Sequence, residues 1–284
     1  MFPTPLLRLD ETIFAKAEYA NATGSVKDRP AHAILEEARA RGLLSPGGTV
    51  IEATSGNMGI ALAALCQQAG YACIIVMPDS MSVERQNRMA HYGARVVLTP
   101  GHLGMTGADA AARQLAATIP GSFLTKQFEN PANALAHYRT TGPEIWAQTE
   151  GKVDMFVTGV GTGGTLTGTA RFLKEQNPHI RIIAVEPAAS PLLSQGQAGS
   201  HGIQGIGANF VPQVLDTGLV DEICTVSDAD AFDTAQALCA QGIPTGISAG
   251  ANLWAARQLA ARHPKQVIVT ILPDSSNRYT SLGL

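Results

Sequence analysis

Met155-Phe156-Val157-Thr158-Gly159-Val160-Gly161-Thr162-Gly163-Gly164-Thr165 reads as an apolar strand that runs through a glycine-rich loop into a helix with Leu166, Ala170 and Leu173 on one face. Glycines permit tight turns and close backbone approach, and the free N–H groups at a helix N-terminus attract an anion. A strand, a phosphate-type turn and a helix in succession form the repeating unit of a parallel sheet covered by helices.

The same alternation extends outward in both directions. Strands are expected near 155–157, 182–185, 223–226 and 267–272, with helices near 165–176, 228–241 and 250–262. Before Gly151, which breaks the pattern, an extended segment over 12–19 is followed by strands at 50–53, 73–77, 95–98 and 123–124. Helices follow Lys27 and are expected near 60–68, 83–91, 106–117 and 133–148. The stretch from Pro187 to Gly218, rich in Gly, Pro, Ser and Gln, reads as a loop able to close over a site. The expectation is an α/β protein of two three-layer α/β/α lobes with mostly parallel sheets and a small-molecule site in the cleft between them. The lobes are expected at 1–145 and 146–284, with the early segment, about 12–30, packing against the C-terminal lobe.

With 284 residues, 45% of them hydrophobic and 15% charged, the chain can bury a sizeable core. A net charge of -3 offers no basic footprint for nucleic acid or an anionic membrane. The longest apolar runs have the length of buried strands rather than the roughly 20 residues of a membrane span. Residues 1–11 lack an apolar stretch followed by a small-residue cleavage site, so a cytoplasmic protein is expected. Cys66, Cys73, Cys224 and Cys239 form no C-x-x-C pair and the histidines no H-E-x-x-H motif, so neither metal nor disulfide is expected.

Two readings of the glycine loop compete. Gly159, Gly161 and Gly164 satisfy G-x-G-x-x-G, and Glu186 follows about 20 residues on, where a dinucleotide-binding protein carries its ribose-binding acid. A nicotinamide or flavin enzyme of that kind leaves three other features without a role. Lys27 sits in the small-residue turn Ala22-Thr23-Gly24-Ser25-Val26-Lys27-Asp28-Arg29-Pro30 before a helical pattern. Thr54-Ser55-Gly56-Asn57 precedes another helix and can bind an anion or merely cap it. Ser248, in Gly246-Ile247-Ser248-Ala249-Gly250, can meet a ring nitrogen or cap a third helix.

Pyridoxal 5'-phosphate needs an amine, a phosphate cradle, partners for its ring nitrogen and 3'-oxygen, and an anion site for the substrate carboxylate. Lys27 can supply the amine and Gly161, Thr162, Gly163, Gly164 and Thr165 the cradle, where the threonine hydroxyls suit a single phosphate. The Asn57 amide can donate to the 3'-oxygen.

Taken in order, the motifs resemble the O-acetylserine sulfhydrylases, or cysteine synthases, of the fold type II pyridoxal phosphate enzymes. The likeness runs through Thr4-Pro5-Leu6, Gly24 to Arg29, Glu52 to Asn57, Met77-Pro78, Gln127-Phe128, Asn130 to Asn133, Thr141 to Trp146, Gly159 to Thr165, Gly205-Ile206-Gly207 and Arg278-Tyr279. The resemblance implies that Lys27 carries the cofactor, Asn57 meets its 3'-oxygen, Gly161 to Thr165 hold its phosphate and Ser248 faces its ring nitrogen. It implies substrate contacts at Thr54, Ser55, Gly56, Met58 and Gln127. The activity implied is β-replacement, making L-cysteine from O-acetyl-L-serine and sulfide through an aminoacrylate, by a homodimer. Related readings that keep the cofactor are cystathionine β-synthase, O-phosphoserine sulfhydrylase, diaminopropionate synthase and cysteine desulfhydrase. A non-catalytic binding protein is a further alternative, against which Lys27 counts.

Met58 stands where the family usually has threonine, which bears on the substrate. Ala249 and Ala22 replace a common serine and proline. A reduced N-terminal arm and no regulatory domain are expected.

Overall fold

The computed structural model describes residues 3–81, 83–280 and 283–284. Met1 and Phe2, the start of the segment read for a leader, lie outside them. The chain first lays down Leu6–Arg8 (β1) and Ile13–Ala17 (β2), an antiparallel pair. Asp28–Ala40 (α1) follows, with Ala31, Ile34, Leu35 and Ala38 on its buried face. Thr49–Ala53 (β3), Asn57–Ala69 (α2), Ala72–Pro78 (β4), Val83–His91 (α3), Arg95–Thr99 (β5), Gly104–Thr118 (α4) and Phe123–Leu124 (β6) complete the first half. The second half runs Ala132–Arg139 (α5), Thr141–Gln148 (α6), Met155–Gly159 (β7), Gly164–Gln176 (α7), Arg181–Pro187 (β8) and Leu192–Gln195 (α8). It closes with Glu222–Val226 (β9), Asp228–Ala240 (α9), Ile247–Arg262 (α10) and Ile268–Leu272 (β10).

These elements form two compact units, one of residues 27–132 and one of the segments that flank it. In the first unit, four strands in the order β5-β4-β3-β6 are all parallel. Strand alternation sorts its core into two layers. Val50, Cys73, Ile75 and Met77 pack with α1, α2 and α3 residues on one face, while Ile51, Ala53, Ile74 and Val76 pack with Ala108 and Ala112 of α4 on the other.

The second unit holds six strands in the order β1-β2-β10-β7-β8-β9, parallel except for β1. Met155 and Val157 of β7 face α9 and α10, and Phe156 faces α6 and α7. Each fully buried aliphatic side chain in these layers contributes about 1.5–3 kcal/mol against its exposed state. Lys16 of β2, fully buried, pairs with Glu144 of α6 at 2.7 Å and donates to Gln148 at 2.7 Å, so the early strand is tied to this unit by charge as well as register.

Three element boundaries differ from the sequence reading. The helix expected over 133–148 is two, broken at Thr140, because Pro143 has no N–H for the Arg139 carbonyl and its ring would clash there. With α6 packed against α7, the second crossing between units falls at Asn133 rather than near 145. Helices α2 and α10 start at Asn57 and Ile247, three residues earlier than expected in each case. Burial of Met58, and the approach of Gly250 to the Ala231 carbonyl, override the poor helix propensity of those openings. The stretch 187–218 is irregular apart from α8 and a short turn of helix at its end, yet Ile203 and Ile206 are buried in the core beside β8 and α10.

Candidate active site

The glycine loop joins β7 to α7 in the six-stranded unit. Gly163 caps α7 with φ +82°, a left-handed conformation costly for other residues, and a Cβ there would stand 2.6 Å from the Leu215 Cβ. A Cβ on Gly164 would lie 2.0 Å from Asn133 Oδ1. The loop therefore has one available path, and along it the N–H groups of Gly161, Thr162, Gly163, Thr165 and Leu166 meet no acceptor among the described residues. Five such donors at the start of a 13-residue helix fit a dianionic phosphate group.

Gly205 lies against this loop, its carbonyl 2.4 Å from where a Gly161 Cβ would be, and a Cβ on Gly205 would stand 3.8 Å from Ser248 Oγ. Ser248 is the second residue of α10, and the helix is capped by Gly246 with no side-chain cap bond. The capping alternative for Ser248 thus gives way to a buried hydroxyl with no hydrogen-bond partner among the described residues. A neutral hydroxyl beside the loop suits a ring nitrogen that is not to be held protonated.

In the other unit, Lys27 immediately precedes α1. It is half-buried, and its carbonyl accepts from Ala31 N at 3.0 Å. The turn leading into it is fixed from the C-terminal segment. Val26 N donates to the Pro273 carbonyl at 2.8 Å, Ser25 bridges to Asp274, and Arg278 donates to the Thr23 carbonyl. Gly24, at φ +86°, makes that turn possible.

The stretch Thr54 to Met58 joins β3 to α2. The cap is Gly56, so neither Ser55 nor Asn57 caps the helix, and Asn57 is its half-buried first residue. Thr54 Oγ1 accepts from Gly56 N at 3.2 Å. The Ser55 N–H and hydroxyl and the Met58 N–H find no acceptor among the described residues, leaving three donors for an anion. The Met58 side chain is buried in the core of this unit, so its backbone N–H is the part of the residue at the turn.

Gln127 is buried and donates to Glu52 Oε1 at 3.1 Å, and Thr125 donates to the other carboxylate oxygen. Burial, with a smaller contribution from the nearby Asp109 charge, raises the Glu52 carboxyl to about 7 against the lowering effect of its hydrogen bonds to Thr125 and Gln127. Glu52 thus anchors the Gln127 amide two residues before Thr54.

Sequence reasoning assigned no role of their own to Glu52, Asn133 and His137. Asn133 Nδ2 donates to Thr162 Oγ1 at 2.9 Å, and the buried His137 lies 3.2 Å from Thr165 Oγ1. Their i, i+4 spacing on a mostly apolar helix was the available signal. Glu186, the acid of the dinucleotide reading, is committed elsewhere. Its buried carboxylate accepts from Leu193 N at 2.7 Å and from Ser194 N at 3.1 Å, so both oxygens bind the start of α8.

The family model described as "Pyridoxal-phosphate dependent enzyme" matches residues 1–274, and the chain belongs to that family. It is therefore a pyridoxal phosphate-dependent enzyme of the α/β type. Cysteine synthase B of Campylobacter jejuni is 45% identical over 284 residues, covering 99% of this chain and 95% of that protein. Among solved structures, an O-ureido-L-serine synthase superposes with a TM-score of 0.95 at 43% identity, covering 98% of this chain and 91% of the other. A cysteine synthase of Entamoeba histolytica gives 0.95 at 41% identity, covering 99% and 87%.

Proposed function

We propose that this enzyme makes L-cysteine from O-acetyl-L-serine and sulfide by β-replacement. The observation that carries the reading is the 45% identity to a cysteine synthase across essentially the whole of both chains. The bond broken joins C3 to the acetoxy oxygen, the bond formed joins C3 to sulfur, and acetate leaves.

Bound pyridoxal phosphate supplies an electron sink that acidifies the α-carbon of the amino acid. Lys27 holds the cofactor through its amine, then removes and returns the proton at the α-carbon. Gly161 to Thr165 bind the phosphate with backbone N–H groups and two hydroxyls. Ser248 meets the ring nitrogen without protonating it, which favours prompt loss of the C3 leaving group over prolonged charge at the α-carbon. Asn57 donates to the 3'-oxygen. Ser55, the Met58 N–H and Gln127 bind the substrate carboxylate, with Thr54 and Gly56 shaping the turn and Glu52 holding Gln127 in register.

The O-ureido-L-serine synthase neighbour supports a second reading, in which the same serine framework accepts a different nucleophile. Assays with O-acetyl-L-serine and either sulfide or hydroxyurea separate the two. Cysteine formed in preference to any O-ureido product supports the proposal, and the reverse preference overturns it. A cytoplasmic homodimer belongs to the same proposal, although the structure itself says only that no described helix is long and apolar enough to cross a membrane. Light scattering on the purified enzyme tests the dimer, and a monomer mass contradicts it.

A further inference from the structure

Two polar residues one turn apart on α5 reach the two threonines of the glycine loop. Asn133 Nδ2 donates to Thr162 Oγ1 at 2.9 Å, and the Gly164 N–H approaches the same oxygen at 3.4 Å. His137 Nε2 lies 3.2 Å from Thr165 Oγ1, while its Nδ1 lies 2.9 Å from Thr141 Oγ1. All of this sits in one unit, and His137 and Thr141 are 1% and 0% exposed.

For a neutral imidazole at His137, hydrogen-bond accounting along these contacts favours one order of protons. The fully buried Thr141 hydroxyl is best satisfied as a donor, since a buried O–H without an acceptor costs about 1–3 kcal/mol. Its hydrogen-bond partner is His137 Nδ1. Nδ1 therefore accepts, the ring proton resides on Nε2, and Nε2–H donates to Thr165 Oγ1. That leaves the Thr165 proton to be given outward, because its oxygen has no acceptor among the described residues. Thr162 reaches the same state by another route: its oxygen takes two donors, from Asn133 and Gly164, and its own proton finds no acceptor among the described residues.

We infer that Asn133 and His137 are positioning residues that turn the Thr162 and Thr165 hydroxyls to donate toward the phosphate group of the cofactor. The inference rests on the proposed phosphate role of the loop. A hydroxyl free to rotate can present a lone pair to an anion, whereas one that accepts a hydrogen bond from a fixed neighbour on one side is turned to present its proton on the other. The anion then meets two preoriented hydroxyl donors in addition to the backbone N–H groups. Thr141 is the remote end of the relay and acts only through His137.

The test compares apoenzyme, resolved from the holoenzyme, in its equilibrium binding of pyridoxal 5'-phosphate and of pyridoxal, which lacks the phosphate. The ratio of the two affinities isolates the phosphate contribution. His137→Leu and Asn133→Ala are each expected to lower that ratio roughly tenfold or more, as for a lost hydrogen bond to a charged group, with pyridoxal affinity unchanged. His137→Gln, which keeps an amide donor near the Nε2 position, should restore most of the ratio. In a Thr165→Val background, His137→Leu should cost nothing further. Nitrogen-15 NMR of histidine in the unmodified holoenzyme needs no variant to fold and should find His137 as the Nε2–H tautomer. An Nδ1–H tautomer, or an unchanged ratio in folded variants, overturns the inference. Failure of the cysteine synthase reading looks different, since the wild-type ratio would stay high while no cysteine is formed.

Discussion

Two strand-turn-helix junctions, β3 to α2 in one unit and β7 to α7 in the other, share a topology and differ in how firmly neighbours specify them. At the β7 to α7 loop, Leu215, Gly205 and Asn133 stand where any side chain at the glycines would go, and Asn133 and His137 each hold one of its threonine hydroxyls by a hydrogen bond. At the β3 to α2 turn, a Cβ on Gly56 would meet nothing within 4 Å, and Ser55, Gly56 and Asn57 are half-buried. The first site is built for a group of one fixed shape. The second leaves open space beside free donors, as a site must if its ligand changes during a reaction. Rigidity belongs where the phosphate is proposed to stay, and room where substrate is proposed to exchange.

That contrast can be broken most forcefully at Gly164. Gly164→Ala puts a methyl 2.0 Å from Asn133 Oδ1, and we expect a loss of about 3 kcal/mol in stability together with at least tenfold weaker retention of the cofactor. Thermal melting and bound-cofactor absorbance measure the two. An alanine accommodated there without effect would mean the loop is not held as described.

Glu52 sharpens the comparison from the other side, since it anchors Gln127 beside the open turn. Its folded-state value near 7 lies above the 4.5 of an ordinary glutamate, so the fold favours the protonated form. The stability this confers is full below about 4.5 and is lost as pH rises to about 7, a difference on the order of 3 kcal/mol. Denaturation of the wild type and Glu52→Gln from pH 4 to 8 should give curves that diverge over this window, with the variant flatter. Parallel curves would contradict a buried neutral carboxyl.

A smaller effect is expected at Met58. Met58→Thr buries a hydroxyl among aliphatic side chains and should cost about 1–3 kcal/mol while changing the KM for the amino acid little. A large fall in KM with unchanged stability would mean that the side chain faces the ligand. Gly56→Ala should be the mildest, within about 0.5 kcal/mol of wild type by melting, with its effect confined to KM.

Much of the fold was legible in the sequence because strand and helix periods are local. The alternation of apolar runs with helical patterns gave the α/β class, and four glycines with two threonines marked the loop. Helix starts at Asn57 and Ile247 were missed because glycine, serine and asparagine there have weak helical preference, and only long-range packing overrides it. The short strand β1 was invisible for the same reason, since three residues carry no period and its pairing with β2 supplies the order. At the site, Lys27, the loop and Ser248 stood out by motif. The roles of Glu52, Asn133 and His137 were not legible, because they lie in contacts with residues 28 to 75 positions away. Met58 shows the converse: as a letter it suggested altered substrate contact, while the fold sends its side chain into the core.

The central claim is that Lys27 carries the cofactor on which a cysteine-forming reaction depends. Reduction of the holoenzyme with borohydride, followed by proteolysis and mass spectrometry, tests it directly. A pyridoxyl group is expected on the peptide containing Lys27 and on no other. A label on Lys16, Lys126 or any other lysine, or a protein that binds no cofactor at all, would contradict it.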